Sequence, residues 1–176
     1  MKTSYTFDIF VLVILLAGLL SVHNPAHSQD EEIPNEILAP LIVKVLHYER
    51  RLSIDRSLTI FVLLQPKLGE KLKAYEGKKV GTSTIVTVTF GTTLPFNPPD
   101  VIYIGDVQDP KAVFEYANKN KIMTIAKRLT IIESGASLGI IPGNDNKPKI
   151  IVNLNSSSLQ GITWNAAIFK VAQVIK

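Results

Sequence analysis

The chain has 176 residues, a net charge of +4 and no cysteine. A length of this order corresponds to one typical domain, with a core large enough to be stable without covalent cross-links. The lack of cysteine excludes disulfides, a thiol-based redox switch and a lipoprotein signal, which needs a cysteine at its cleavage site. The domain is therefore expected to rely on side-chain packing alone.

The amino-terminal residues have the three parts of a cleavable export signal. Lys2 carries a positive charge, and residues 9–20 form an unbroken apolar run. Ala26 and Ser28 are small residues at the −3 and −1 positions of a cut after Ser28. The apolar run is shorter than the roughly 20 residues that a transmembrane helix needs. We therefore expect residues 1–28 to be a signal peptide and the mature protein to have no stable membrane span.

Export limits the partners that the mature protein can meet. Residues 29–36 are expected to form a flexible amino terminus, and residues 37–176 one periplasmic domain. Nucleic acid is not expected as a partner after export, and the scattered lysines are typical of a solvated surface. A membrane surface and an acidic protein remain open as partners of the basic domain.

Apolar periodicity and capping residues predict four helices and a fifth segment that could be a short helix or a loop. The first begins at Asn35, and we interpret Pro40 as its first-turn residue, because helices break at proline in later turns. The next helices are predicted over residues 67–75, after an Asp109-Pro110 cap and after an Asn165 cap, while residues 127–134 are predicted to form either a short helical turn or a loop. In the last helix, four apolar residues have helical spacing: Ile168, Val171, Ala172 and Ile175. Of these, Ile168, Val171 and Ala172 should be buried.

Six strands are predicted from runs rich in β-branched and apolar residues. They cover residues 58–64, 83–90, 101–104, 123–126, 137–141 and 149–154, with the last two forming a hairpin at the edge of the sheet. Alternating strands and helices predict an α/β fold, a single-domain sandwich with a mostly parallel sheet and helices on both faces. The sheet should be mixed, because residues 91–100 contain no crossover helix.

Gly135 to Gly139 match the G-x-S-x-G nucleophile motif, with Ser137 as the nucleophile. That motif needs a strand before the serine, a helix after it and a later histidine as the base. The residues after Ser137 are predicted to be strand and turn, and the mature chain has a single histidine, His47, which lies upstream. We therefore expect no catalytic centre, and since no cysteine or second histidine can join His47, no metal site or cofactor.

Four residues follow predicted strands at positions where a ligand could bind. Ligands of open α/β sheets lie outside the carboxyl ends of the strands. The candidate ligand-binding residues at these ends are Gln65, Gly105, Asp106 and Lys127. All four can equally be ordinary loop residues.

The carboxyl-terminal residues resemble the closing signature of a known family. Residues 149–154 form a strand that ends in Asn-Leu, a short helix leads to Gly161, and an aromatic residue with a polar cap precedes an apolar stretch from Ala166. This arrangement resembles the YfiR family of periplasmic proteins, although Asn165 stands where serine is common. Residues 41–50, which end in Tyr-Glu-Arg, are similar to the family's first helix.

The resemblance implies a periplasmic α/β sandwich without enzymatic activity that often forms homodimers. The family's best-known members repress an inner-membrane diguanylate cyclase by binding its periplasmic part. It therefore implies a regulator that binds and represses an inner-membrane signalling protein of this kind. A small-ligand-binding domain is the main alternative, and a hydrolase using Ser137 a distant one. A regulator should have an exposed apolar patch, whereas a ligand binder should have a pocket lined by Gln65, Asp106 and Lys127.

Overall fold

The computed structural model describes residues 32–143 and 147–176. The predicted signal peptide, its cleavage site and the tip of the predicted hairpin turn lie outside these residues. The helices are α1 (Asn35–Leu46), α2 (Pro66–Lys73), α3 (Lys111–Asn120), α4 (Leu129–Ser134), α5 (Leu154–Leu159) and a 3₁₀ helix (Ala166–Lys170). The strands are β1 (Ser57–Leu63), β2 (Lys79–Val80), β3 (Ser83–Gly91), β4 (Val101–Ile104), β5 (Met123–Ala126), β6 (Leu138–Pro142), β7 (Pro148–Asn153) and β8 (Ala172–Ile175). Within the described residues, no helix is both long enough and apolar enough to span a bilayer.

All eight strands join one mixed sheet, in the order β2-β3-β1-β4-β5-β6-β7-β8. Neighbouring strands are parallel except for the pairs β2/β3 and β6/β7. The predicted fold class, a mostly parallel mixed sheet with a C-terminal antiparallel hairpin, is therefore confirmed. The hairpin consists of β6 and β7.

Helices cover both faces of the sheet, as the sequence predicts. We call the apolar layer under α1 and α2 the first layer, and the layer under α3 and α4 the second layer. Side chains of β4 alternate between them, because successive residues of a strand point to opposite faces. Val101 and Tyr103 lie in the first layer, and Ile102 and Ile104 in the second.

The loop of residues 92–100 connects β3 to β4 without a helix. These two strands are not neighbours, since β1 lies between them and pairs in parallel with both. The loop therefore crosses β1, and the parallel strands it joins do not pair with each other.

The interpretation of Pro40 as a first-turn residue is wrong. Helix α1 begins at Asn35, so Pro40 lies inside it. Asn35 and Glu36, which belong to the predicted flexible terminus, are therefore helical. Proline leaves one helical carbonyl without its N–H partner. Its ring is exposed, while Leu38, Ile42 and Leu46 pack fully into the first layer. This burial outweighs the missing hydrogen bond.

The predicted final helix is also wrong. After the Asn165 cap, the chain forms only the 3₁₀ helix and then β8, which pairs in parallel with β7. Ile168 is fully buried, but Val171 is 56% exposed and Ala172 only half-buried. β8, not the hairpin, therefore forms this edge of the sheet. The physical reason is that pairing with residues 150–153 of β7 satisfies peptide groups of residues 172–175, and this tertiary contact outweighs a weak local helix preference.

Candidate functional site

The candidate residues lie where the connections of two adjacent parallel strands diverge. The chain leaves β1 towards α2 in the first layer, and leaves β4 towards α3 in the second layer. Divergent connections open a crevice at the carboxyl ends of the strands, the usual ligand position in open α/β sheets. Gln65 follows β1, Asp106 follows β4 and Lys127 follows β5.

Lys127 joins two carboxylates at this crevice. Its Nζ atom lies 2.6 Å from Glu32 Oε1 and 3.0 Å from Asp106 Oδ1. The lysine side chain is only 13% exposed, while both carboxylates are largely exposed. Burial on its own would lower the pKa of Lys127, but hydrogen bonds to Glu32 and Asp106 outweigh it, and the pKa is raised. The ammonium therefore stays charged and is already neutralised by its neighbours.

Gln65 is held beside the start of α1 by an unusual turn. Leu64, directly after β1, has a φ of 54°, a left-handed conformation that is strained for leucine. The next residue, Gln65, donates from Nε2 to Asn35 Oδ1 at 3.4 Å. Its Oε1 atom is buried without a hydrogen-bond partner in the structure. A buried unpaired acceptor is costly, so this atom calls for a donor.

Gly105 has a structural explanation. Its N–H donates to the Leu63 carbonyl at 2.8 Å. A Cβ atom at this position would lie 2.6 Å from both the Leu63 and Leu64 carbonyl oxygens. Only glycine permits this approach of the β4 end to the β1 end, whether or not a ligand binds.

Sequence reasoning missed Tyr103. Its side chain is fully buried in β4, and its hydroxyl has no hydrogen-bond partner in the structure. Burial raises the pKa of Tyr103, and the negative charges of Glu32 and Asp106 raise it further. The hydroxyl is therefore neutral. A tyrosine in an otherwise aliphatic strand was the available signal, because a buried tyrosine hydroxyl usually needs a partner.

We call this group of polar residues the switch-point cluster. Its members are Glu32, Asn35, Gln65, Tyr103, Asp106 and Lys127. Three of the four predicted candidates belong to it. Its other members include Glu32 and Asn35 from the predicted flexible terminus, which bind Lys127 and Gln65 respectively. The ammonium of Lys127, the only positive charge in the cluster, is paired with two carboxylates. Two buried polar atoms, Gln65 Oε1 and the Tyr103 hydroxyl, have no hydrogen-bond partner.

Ser137 is not placed as a nucleophile. It is fully buried, its hydroxyl donates to the Thr124 carbonyl at 2.9 Å, and the same oxygen accepts from the Thr124 N–H at 3.1 Å. Helix α4 precedes it and β6 follows, which is the reverse of the order that the motif needs. His47 is exposed on the turn after α1, with Nδ1 near the Val43 carbonyl.

Possible metal ligands do not converge in the described part of the chain. In residues 32–143 and 147–176, no three His, Asp or Glu side chains form a group that could hold a metal ion.

The carboxyl-terminal signature residues act as caps and packing anchors. Asn153 accepts from the Ser156 N–H at 3.1 Å at the start of α5 and donates to the Ile132 carbonyl at 2.9 Å. Asn165 caps the 3₁₀ helix by accepting from the Ala167 N–H at 3.0 Å, as its sequence position predicts. Trp164 donates from its indole to Ser157 Oγ at 2.9 Å. These roles concern the fold and do not by themselves indicate a ligand.

Comparisons with solved structures support the fold. One similar structure is the ABC domain in complex with L-Trp from Streptococcus pneumonia, at 16% identity and a TM-score of 0.54, with 78% of this chain covered. Another is a conserved domain protein from Vibrio cholerae O1 biovar eltor, at 18% identity and a TM-score of 0.52, with 81% covered. This chain spans 60% of the length of each, and such low identities show the fold alone.

Comparison with curated proteins found no match. A family model gives the identification that structures cannot. The model described as YfiR/HmsC-like matches residues 36–173, which is most of the chain and includes every element from α1 to the start of β8. The match agrees with the resemblance of the first helix and of the closing signature. The chain therefore belongs to the YfiR/HmsC-like family.

Proposed function

We propose that this protein is a periplasmic regulator that binds and represses an inner-membrane signalling protein such as a diguanylate cyclase. Membership of the YfiR/HmsC-like family supports a periplasmic regulatory role in general, since the family is generally periplasmic. The partner, the repression and the cyclase are the specific parts of the proposal.

The observation that carries the proposal is a set of large apolar side chains left in solvent. A protein that acts by docking must present apolar surface, because apolar burial drives most association. The most exposed of these side chains are Phe96, Ile54, Leu159, Val171 and Ile37, in that order. The polar switch-point cluster, in contrast, satisfies its charges internally, with Lys127 held between Glu32 and Asp106.

Binding can regulate the partner only if it distinguishes two of the partner's states. A ligand with equal affinity for both states shifts nothing, however tightly it binds. A repressor must therefore bind the inactive state more tightly. Deleting the gene is expected to raise cyclic di-GMP in the cell, and crosslinking in intact cells should recover an inner-membrane protein with the full chain. Unchanged cyclic di-GMP after deletion would contradict the proposal.

A non-enzymatic role predicts that Ser137→Ala keeps full regulatory activity per folded molecule. The hydroxyl donates to a backbone carbonyl, so no base can activate it. The variant should nevertheless lose about 0.5–1.5 kcal/mol of stability, because the Thr124 carbonyl loses the Ser137 hydroxyl as a donor, while the Thr124 N–H keeps Gln160 Oε1 as an acceptor at 3.0 Å. Urea denaturation measures the stability loss, and complementation of the deletion measures activity. Lost activity in variant protein that is folded and present at normal levels would favour a hydrolase.

Binding of a small ligand at the switch-point cluster is a second candidate function. It is favoured by Gln65 Oε1 and the Tyr103 hydroxyl, which are buried and lack partners in the structure. A ligand could satisfy Gln65 Oε1 with a neutral donor and the Tyr103 hydroxyl with a neutral acceptor. Native mass spectrometry of protein purified from the periplasm would detect a retained molecule, and Tyr103→Phe should release it. Retention of the same molecule by Tyr103→Phe would place it elsewhere.

A further inference from the structure

Phe96 is the most exposed large apolar side chain in the described part of the chain. It is 98% exposed, and it lies in the loop of residues 92–100 between β3 and β4. A phenylalanine in solvent forgoes one of the largest apolar contributions that a single side chain can make. Folding therefore gains nothing from an aromatic ring at this position.

The loop holds Phe96 in place from both sides. The Pro95 carbonyl accepts from the Tyr116 hydroxyl at 2.8 Å, and Leu94 packs against the second layer. Beyond Phe96, Pro99 is buried and the Asp100 N–H donates to the Thr59 carbonyl at 3.0 Å. Proline also fixes the backbone φ angle at positions 95, 98 and 99. The ring is thus presented on a preorganised loop, so binding would cost little conformational entropy.

The charge of the loop indicates the chemistry of the partner. Residues 91–99 contain no ionisable side chain, and the Asp100 that follows is bound by Arg56 at 2.9 Å. An aromatic residue that inserts into an anionic membrane surface is normally flanked by lysine or arginine. A neutral loop instead complements an uncharged apolar pocket, in which interface aromatics are buried most favourably.

We infer that Phe96 is the anchor by which this protein docks into an uncharged apolar pocket of a protein partner. The inference rests on the proposed regulatory function and names the surface through which it acts. The anchor lies on the second-layer side of the sheet, because Leu94 and the α3 residue Tyr116 hold its loop there.

Complementation of the deletion with the full chain tests the anchor. Phe96→Ser should weaken binding about 10- to 100-fold, as for loss of an interface hot spot, and should leave cyclic di-GMP near the level of the deletion. Phe96→Trp keeps an aromatic anchor and should restore repression. Phe169→Ser is the matched control, because Phe169 is a 44% exposed phenylalanine on the 3₁₀ helix beside β8, at the other edge of the sheet. If the deletion changes cyclic di-GMP and Phe96→Ser complements it fully, the anchor is excluded while the regulatory function stands.

A photoreactive amino acid at position 96 gives a second readout that needs no signalling output. In intact cells it should crosslink to an inner-membrane protein identified by mass spectrometry, and the same group at position 169, beside β8 at the other edge of the sheet, should not. A crosslink to a second copy of this chain would overturn the inference. So would the absence of any crosslink to a protein, together with binding to phosphatidylethanolamine–phosphatidylglycerol vesicles that is lost in Phe96→Ser. A crosslink to a membrane protein despite unchanged cyclic di-GMP in the deletion would keep the anchor and reject repression of a cyclase.

Discussion

Replacing Glu49 with alanine is expected to lower the free energy of unfolding by about 3–5 kcal/mol, since a buried and a partly buried backbone N–H group lose a charged acceptor. Glu49 is fully buried, and its carboxylate accepts from the Leu52 N–H at 2.6 Å and the Thr163 N–H at 2.9 Å. Its ion pair with Arg51, at 3.4 Å, adds little because Arg51 is 34% exposed. The hydrogen bonds to the backbone therefore account for most of the loss.

The position of Glu49 explains why the loss should be global. The carboxylate joins the turn after α1 to the segment before the 3₁₀ helix, and a β-bridge pairs Glu49 with Trp164. Urea denaturation with an unchanged m-value measures the effect. Glu115→Ala, at an exposed site on α3, is the control and should change stability by less than about 0.5 kcal/mol. A loss below about 1 kcal/mol for Glu49→Ala would mean that water replaces the carboxylate.

The family-like Tyr-Glu-Arg ending of the first helix can now be interpreted physically. In the sequence it was a resemblance and carried no role. In the structure Glu49 is the buried acceptor, and the backbone groups of its two neighbours bond to the carboxyl-terminal segment: Asn165 N–H to the Tyr48 carbonyl, and Arg50 N–H to the Thr163 carbonyl. The two parts of the chain that resemble the family most are therefore in direct contact.

The strand-end candidates could be predicted because they depend on strand order only loosely. Any parallel sheet brings the residues after its strands to one edge, where Asp106 and Lys127 are in contact and Gln65 follows the neighbouring strand. Their partners could not be predicted in the same way. Glu32 lies 95 residues from Lys127 in the sequence, and the Tyr103 hydroxyl becomes unusual only once its burial is known. Contacts of this range depend on the packing of α1 over the sheet.

The end of the chain illustrates where periodicity fails. Ile168, Val171, Ala172 and Ile175 have helical spacing, yet residues 172–175 also suit a short strand. Local preference over four residues is weak, and the context of the neighbouring strand decides. Here residues 150–153 of β7 pair with residues 172–175, which a sequence window around Asn165 does not contain.

The burial of Ile168 nevertheless supports the second large effect. Ile168→Ala should cost about 2–5 kcal/mol, the range for removing a buried aliphatic side chain and leaving a cavity. Ile168 is the only buried residue of the 3₁₀ helix, and it packs in the first layer, which also contains Trp164. Few other contacts of this helix can compensate, because its remaining residues are exposed.

Val171→Ala is the matched control for Ile168→Ala. Val171 is 56% exposed, so its truncation should change stability by less than about 0.5 kcal/mol. If residues 166–175 instead formed one amphipathic helix, Val171 would share the buried face with Ile168 and both truncations would be costly. Urea denaturation of the two variants therefore tests burial and secondary structure together. Hydrogen exchange adds a local test, since loss of Ile168 should expose the amides of β8 before those of β4 and β5 at the centre of the sheet.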